Sequence, residues 1–129
     1  MGKKVIKNSS VHTGWKGGIE IFSSQQVTLD GNTVHDVKET GITVKSSTKL
    51  EILNNHVSGV SIGLRKVPKE SAPGYELPDA NGIVVRNNTA SGVAHKGYMM
   101  PAARVCDQSD PNIIIDGNIA HSNYIGIDP

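Results

Sequence analysis

The sequence has little bulk from which to build an interior: aromatic residues are only 4% of it, with one Trp, one Phe and three Tyr among 36% hydrophobic residues. Any core must therefore be aliphatic, with Val and Ile as its main material. Cysteine is nearly lacking too, and the single Cys106 excludes an intrachain disulfide framework. No sign of charge dominates: thirteen Lys and Arg against twelve Asp and Glu give a formal net charge of +1. There is thus no global field to attract nucleic acid or an anionic membrane surface, and polyanion binding would need a local patch. No apolar run approaches the roughly 20 residues that cross a bilayer, so membrane insertion by this chain is not expected. The basic start Met1-Gly2-Lys3-Lys4 leads into polar, strand-like sequence instead of the apolar stretch of a signal peptide. Amphipathic helical periodicity is missing as well.

What is present is turn chemistry and short β-branched runs. Fourteen glycines and many Asn, Ser and Thr surround short Val/Ile stretches, the composition of many short strands joined by corners. These stretches repeat. Ser9-Ser10-Val11-His12, Asn32-Thr33-Val34-His35, Asn55-His56-Val57-Ser58, Asn88-Thr89-Ala90-Ser91 and Asn118-Ile119-Ala120-His121 share one form: Asn or Ser, any residue, a small apolar residue, then His or Ser. Their first positions are 23, 23, 33 and 30 residues apart, so a basic unit of 23 carries insertions in its later copies. Before each anchor lies an apolar or alternating run such as Val27-Thr28-Leu29 or Leu50-Glu51-Ile52-Leu53. After it comes a run led by glycine: Gly18-Ile19-Glu20-Ile21, Gly41-Ile42-Thr43-Val44, Gly97-Tyr98-Met99-Met100 and Gly126-Ile127. Each unit thus holds at least two short strands.

A unit of that size cannot bury its apolar face alone, whereas stacked units share one continuous core. The pattern predicts an all-β fold: a right-handed, single-stranded parallel β-helix (solenoid) of about five coils forming one domain over residues 1–129, its hand set by the general preference for right-handed crossovers. Asn32, Asn55, Asn88 and Asn118 are expected to form a structural Asn ladder, each tolerating the left-handed corner conformation and bonding the amide one coil away. Inserted loops are expected at 65–80, which has three prolines and no period of two, and at 101–111. The first coil begins almost at Met1 and the last stops directly after a strand, so neither end shows an obvious polar cap and both are expected to expose core and strand edges. The chain is expected to be a fragment of, or partner to, a larger assembly.

Candidate sites are sparse. Arg65, Lys66, Lys69 and Tyr75 in the first loop, with Lys96 and Arg104, are the residues placed to bind a ligand or partner. His12 and His35 share a register, with Ser58, Ser91 and His121 continuing the row. They are weak metal candidates, because an ion needs three or four ligands and the adjoining positions supply at most Asp36. Cys106 as a nucleophile would need a nearby His, and His95 is the candidate. Polysaccharide lyase or glycoside hydrolase chemistry would need clustered carboxylates, often with calcium. In the predicted register Asp30 faces Leu53 and then Arg86, with Asp116 three coils away. No catalytic residue and no cofactor is assigned, and calcium enters only with the carbohydrate-active alternative. No phosphate-cradling loop, CxxC pair, HExxH or GxSxG occurs. Asn8-Ser9-Ser10 has the Asn-x-Ser form of a glycosylation acceptor.

The words "VVRNNTASGVAHKGYMMP", followed by a Cys-containing stretch and "IDGNIAHSNYIGI", resemble the β-helical repeats of the fibrocystin (polyductin) family. Asn88, Ala90, Gly92, Gly97, Tyr98, Cys106, Asn118, Ala120, His121 and Gly126 carry the resemblance, over about a third of the chain. It implies a segment of a large extracellular, cell-surface or ciliary protein in which such repeats form a structural or ligand-binding rod. The 129 residues depart from that family and its G8-domain relatives in showing no G8 domain, immunoglobulin-like repeat, signal peptide or membrane span. That is the expectation for a piece of a longer protein or a small relative recruited into an assembly. The expected function is a non-enzymatic β-helix structural and interaction module, whose partners are other protein chains or further coils of the same protein. The alternative is a pectin-lyase-like carbohydrate-active module binding or cleaving an acidic polysaccharide with the basic residues above and a loop acid such as Asp107.

Overall fold

The computed structural model describes residues 2–14, 17–61, 73–78, 81–100, 113–123 and 125–128. Every strand pairing among them is parallel. The chain winds as a solenoid with three faces. On the first, β1 (Lys3–Lys7) pairs with the second half of β3 (Ile19–Asp30), which pairs with the second half of β5 (Ile42–Leu53), followed by β8 (Gly82–Arg86) and β11 (Ile113–Asp116). On the second face run β2 (Ser10–Gly14), β4 (Thr33–Lys38), β6 (His56–Ser61), β9 (Thr89–Ser91) and β12 (Ile119–His121). The third takes the first halves of β3 and β5, then β7 (Tyr75–Glu76), β10 (Lys96–Met99) and β13 (Ile125–Asp128). The 23-residue period is literal: Ser10 pairs with Thr33 and Thr33 with His56, while Ile19 pairs with Ile42.

The anchor words, read from sequence as turn signals, themselves form the strands of the second face. Their apolar position points inward as the column Val11, Val34, Val57, Ala90, Ala120. The first face adds Ile6, Leu29, Ile52, Val85 and Ile115 as a second inward column. Val27, Leu29, Val34, Ile52, Val57 and Val85 are completely buried, each contributing roughly 1.5 to 3 kcal/mol of apolar transfer. The alternating positions Val5, Thr28, Glu51, Val84 and Ile114 form an outward column on the same strands, polar at its middle and apolar toward both ends.

The Asn ladder forms as expected, with one correction of geometry. Asn55 Oδ1 accepts from the Asn32 backbone N–H at 2.9 Å and from Asn32 Nδ2 at 3.0 Å, and Asn32 Nδ2 also donates to Ile6 O at 2.9 Å. Asn88 repeats this toward Asn55, and Asn118 toward Asn88, with Leu29, Ile52 and Val85 carbonyls as the second acceptors. Ser9 begins the ladder by donating its backbone N–H to Asn32 Oδ1 at 3.0 Å. The left-handed residue is not the ladder Asn but the one before it: Asn8, Gly31, Asn54, Asn87 and Gly117 have φ between 51° and 69°. Asn and Gly are the residues that adopt this conformation most readily. The ladder Asn is thus free to turn inward.

The expected loop at 65–80 is shorter than its composition suggested. From Asn32 to Gly41 is nine positions and from Asn55 to Gly74 nineteen, so ten residues are inserted, and they precede β7. Gly74-Tyr75-Glu76 is therefore the third coil's glycine-led run, pairing with β5 on one side and β10 on the other. The glycine matters at this corner. A Cβ on Gly18 would stand 2.6 Å from Gly41 O, and one on Gly74 would stand 2.7 Å from Gly97 O, distances at which the coils would have to part. The expected loop at 101–111 lies outside the described residues.

Tyr75 and Tyr98 continue the inward column begun by Ile19 and Ile42. Their rings stack 4.7 Å apart at 5°, and their hydroxyls donate to Thr89 O and Ile119 O across the core. Burial raises the pKa of both phenols above the ordinary 10.0; the neighbouring Tyr98 raises that of Tyr75 further, and each backbone hydrogen bond opposes the shift.

Two predictions follow from this interior. Asn55→Ala strands two donors of Asn32 and the carbonyl of Leu29, and should cost at least about 1 to 3 kcal/mol in urea unfolding. An unchanged midpoint would contradict the ladder. Because the two phenols hold their protons more tightly when folded, the folded state binds more protons than the unfolded one once pH passes about 10. Stability from this pair should be constant below that pH and fall above it, and Tyr75→Phe with Tyr98→Phe should flatten the fall.

Candidate functional site

The sequence-predicted site residues do not converge. Arg65, Lys66, Lys69, Arg104, Cys106 and Asp107 lie outside the described residues. Tyr75, expected on a loop surface, is instead completely buried against Tyr98. It was misplaced because the prolines around it hid its glycine-led run, although Gly74-Tyr75 repeats the word Gly97-Tyr98. Its one polar atom is already bonded to Thr89 O, so it cannot serve a ligand at the surface. Lys96 opens β10, with its carbonyl accepting from Gly74 N–H at 2.8 Å.

The histidine row forms as expected on the outer side of the second face: His12 pairs with His35, His35 with Ser58, Ser58 with Ser91 and Ser91 with His121. The His12 and His35 rings stack 5.1 Å apart at 9°. Each Nδ1 is engaged by its own neighbour, with Thr13 Oγ1 3.1 Å from that of His12 and Asp36 Oδ2 2.8 Å from that of His35. Parallel rings hold their in-plane lone pairs side by side instead of converging on one point, which is poor geometry for a shared ion. Among the described residues no group of three or more His, Cys, Asp or Glu is placed to hold a metal.

Acidic side chains are spread in the same way. Asp30, Leu53, Arg86 and Asp116 make one outward column, in which Asn54 Nδ2 donates to Asp30 Oδ1 at 3.0 Å and Arg86 lies 3.7 Å from Asp116. At about 4.8 Å per coil, Asp30 and Asp116 are too far apart to share an ion. The Arg86–Asp116 pair is solvent-exposed and contributes at most about 1 kcal/mol.

The two ends of the described stack are not equivalent. At the first coil the inward register of Val27 is taken by Lys4 and that of Val37 by Gly14. An inward-register charge blunts a sheet edge, so this end carries a polar block that the sequence reading did not see. At the last coil Ile113, Ile115 and Ala120 keep the inward registers apolar and half-exposed. One polar residue, Asn123, stands there, accepting from Val93 N–H at 2.8 Å and donating to Ala90 O at 3.0 Å. Asn118 spends its Oδ1 on Asn88 and one amide hydrogen on Val85 O. In every lower rung the backbone N–H and the second amide hydrogen bond to the next Asn, and among the described residues Asn118 has no such acceptor.

The geometry of the histidine row predicts that zinc leaves the melting temperature of the chain unchanged. A rise with zinc that His12→Ala abolishes would show the pair holding an ion.

A family model described as "Right handed beta helix region" matches residues 2–100. No curated protein and no solved structure matches the chain. The matched span carries the first four positions of the ladder, Ser9, Asn32, Asn55 and Asn88, together with the parallel pairings that they set. The chain belongs to the right-handed β-helix family.

Proposed function

We propose that this chain is a structural and interaction module that works by stacking end to end with other β-helical coils, in an extracellular or ciliary assembly of the fibrocystin-like kind. The observation that carries the reading is the state of Asn118. Its backbone N–H and second amide hydrogen point toward the position that the next ladder Asn would occupy, at an end whose inward registers hold Ile113, Ile115 and Ala120. An aliphatic coil with an Asn at its corner, from further along the same protein or from another chain, satisfies both the donors and the apolar surface. The resemblance at Asn88, Gly97, Tyr98, Asn118 and His121 supports the extracellular setting. A carbohydrate-active role would draw on Arg65, Lys66, Lys69, Lys96 and Arg104, and it has no converging acid and base among the described residues to favour it.

The reading is tested by supplying such a coil. Asp128 aligns through Met99, Glu76 and Thr43 with Glu20, so a copy of residues 21–43 appended after Asp128 continues the register and sets a copy of Asn32 above Asn118. The extended chain should unfold at higher urea than the parent, and the same extension with its Asn32 copy changed to Ala should lose much of that gain. An extension that adds no stability would contradict an end built to receive a coil.

A further inference from the structure

We infer that one corner edge of the solenoid carries two N-glycosylation acceptors, Asn8 and Asn87, which cover its side and leave the Asn118 end clear. Asn8-Ser9-Ser10 has the acceptor form, and so does Asn87-Asn88-Thr89. The fold brings the two into one column. Asn8, Gly31, Asn54, Asn87 and Gly117 succeed one another at the corner between the first and second faces, each in the left-handed conformation, with φ of 51° at Asn8 and 57° at Asn87. Both asparagines are exposed.

Their side chains are presented alike. Each amide oxygen lies against the glycine one coil up, Asn8 Oδ1 under Gly31 and Asn87 Oδ1 under Gly117, in space that a Cβ would fill. That leaves Nδ2, the atom that carries the sugar, and among the described residues it makes no hydrogen bond in either Asn8 or Asn87. The column holds its own control in Asn54, whose Nδ2 is bonded to Asp30 Oδ1 at 3.0 Å and whose second following residue is His56, without a hydroxyl.

The transfer is a substitution at an anomeric carbon. Asn Nδ2 bonds to C1 of a lipid-pyrophosphate-linked oligosaccharide as the C1–O bond to pyrophosphate breaks. The lipid pyrophosphate leaves, one amide proton passes to a base of the transferase, and nothing is oxidised. Three coils separate the acceptors, on the order of 14 Å along the stack. Glycans are bulky, hydrated surface groups, so two at this spacing bar lateral contact through the edge and leave end-to-end contact open. The inference rests on the extracellular setting proposed above.

The test translates the chain behind a cleavable secretory leader in the presence of microsomes, and reads mass before and after peptide N-glycosidase. Two enzyme-removable steps are expected, with one lost in Asn8→Gln and one lost in Asn87→Gln. A protease-protected, translocated chain with one glycan or none overturns the inference. So does a secreted glycoprotein that melts below the same protein with its glycans trimmed, because the sugars would then conflict with the fold. The stacking proposal is read separately on the glycan-free extended chain, so either can fail alone.

Discussion

Register between coils is held by the Asn ladder, and every other feature of the solenoid depends on that register. Each rung fixes two donors of one coil on a single oxygen of the next and returns an amide hydrogen to a backbone carbonyl below. Slippage by one residue would leave these groups unbonded in an aliphatic interior, where each costs roughly 1 to 3 kcal/mol, and would turn the valine and isoleucine columns outward. A core with so few aromatics gains little from shape alone, so polar specification at the corner does what a large interlocking core would do elsewhere. Ladders of like residues follow on every face: valines inside, histidines outside, glycines where the third face meets the second.

Much of this was legible in the sequence because a solenoid repeats its chemistry in the chain as well as in space. The ladder residues, the 23-residue period and the His12–His35 stack could all be read from spacing. Where the period was interrupted, legibility ended. Tyr75 was assigned to a loop because ten inserted residues and neighbouring prolines broke the count, though its Gly-Tyr word matched the one at Gly97. Asn32 and its equivalents were given the left-handed corner that Gly31, Asn54 and Asn87 occupy, since sequence cannot tell which of two adjacent turn formers bends. The polar substitutions at the ends, Lys4 and Asn123, were missed for a related reason. Only the structure shows that Lys4 stands in line with the buried Val27 and that Asn123 accepts from the Val93 N–H.

A site with converging catalytic groups was not legible, and the described residues bring none together. The fold instead distributes its polar groups one per coil: Asp30 and Asp116 are separated by Leu53 and Arg86, and the Nδ1 atoms of the stacked His12 and His35 are each engaged by the following residue. That distribution leaves the distinctive polar groups of the described residues at the ends of the stack and along one edge. Lys4 guards one end, Asn118 offers donors at the other, and the corner column presents asparagines along one side.

The most direct measurement is amide hydrogen exchange followed by NMR, residue by residue along the ladder. The account requires the backbone N–H groups of Asn32, Asn55 and Asn88, each held on the next Asn oxygen, to be among the most protected in the chain. The N–H of Asn118 should exchange far faster. Asn55 exchanging as quickly as Asn118 would contradict it, because the ladder could not then be what holds the coils in register.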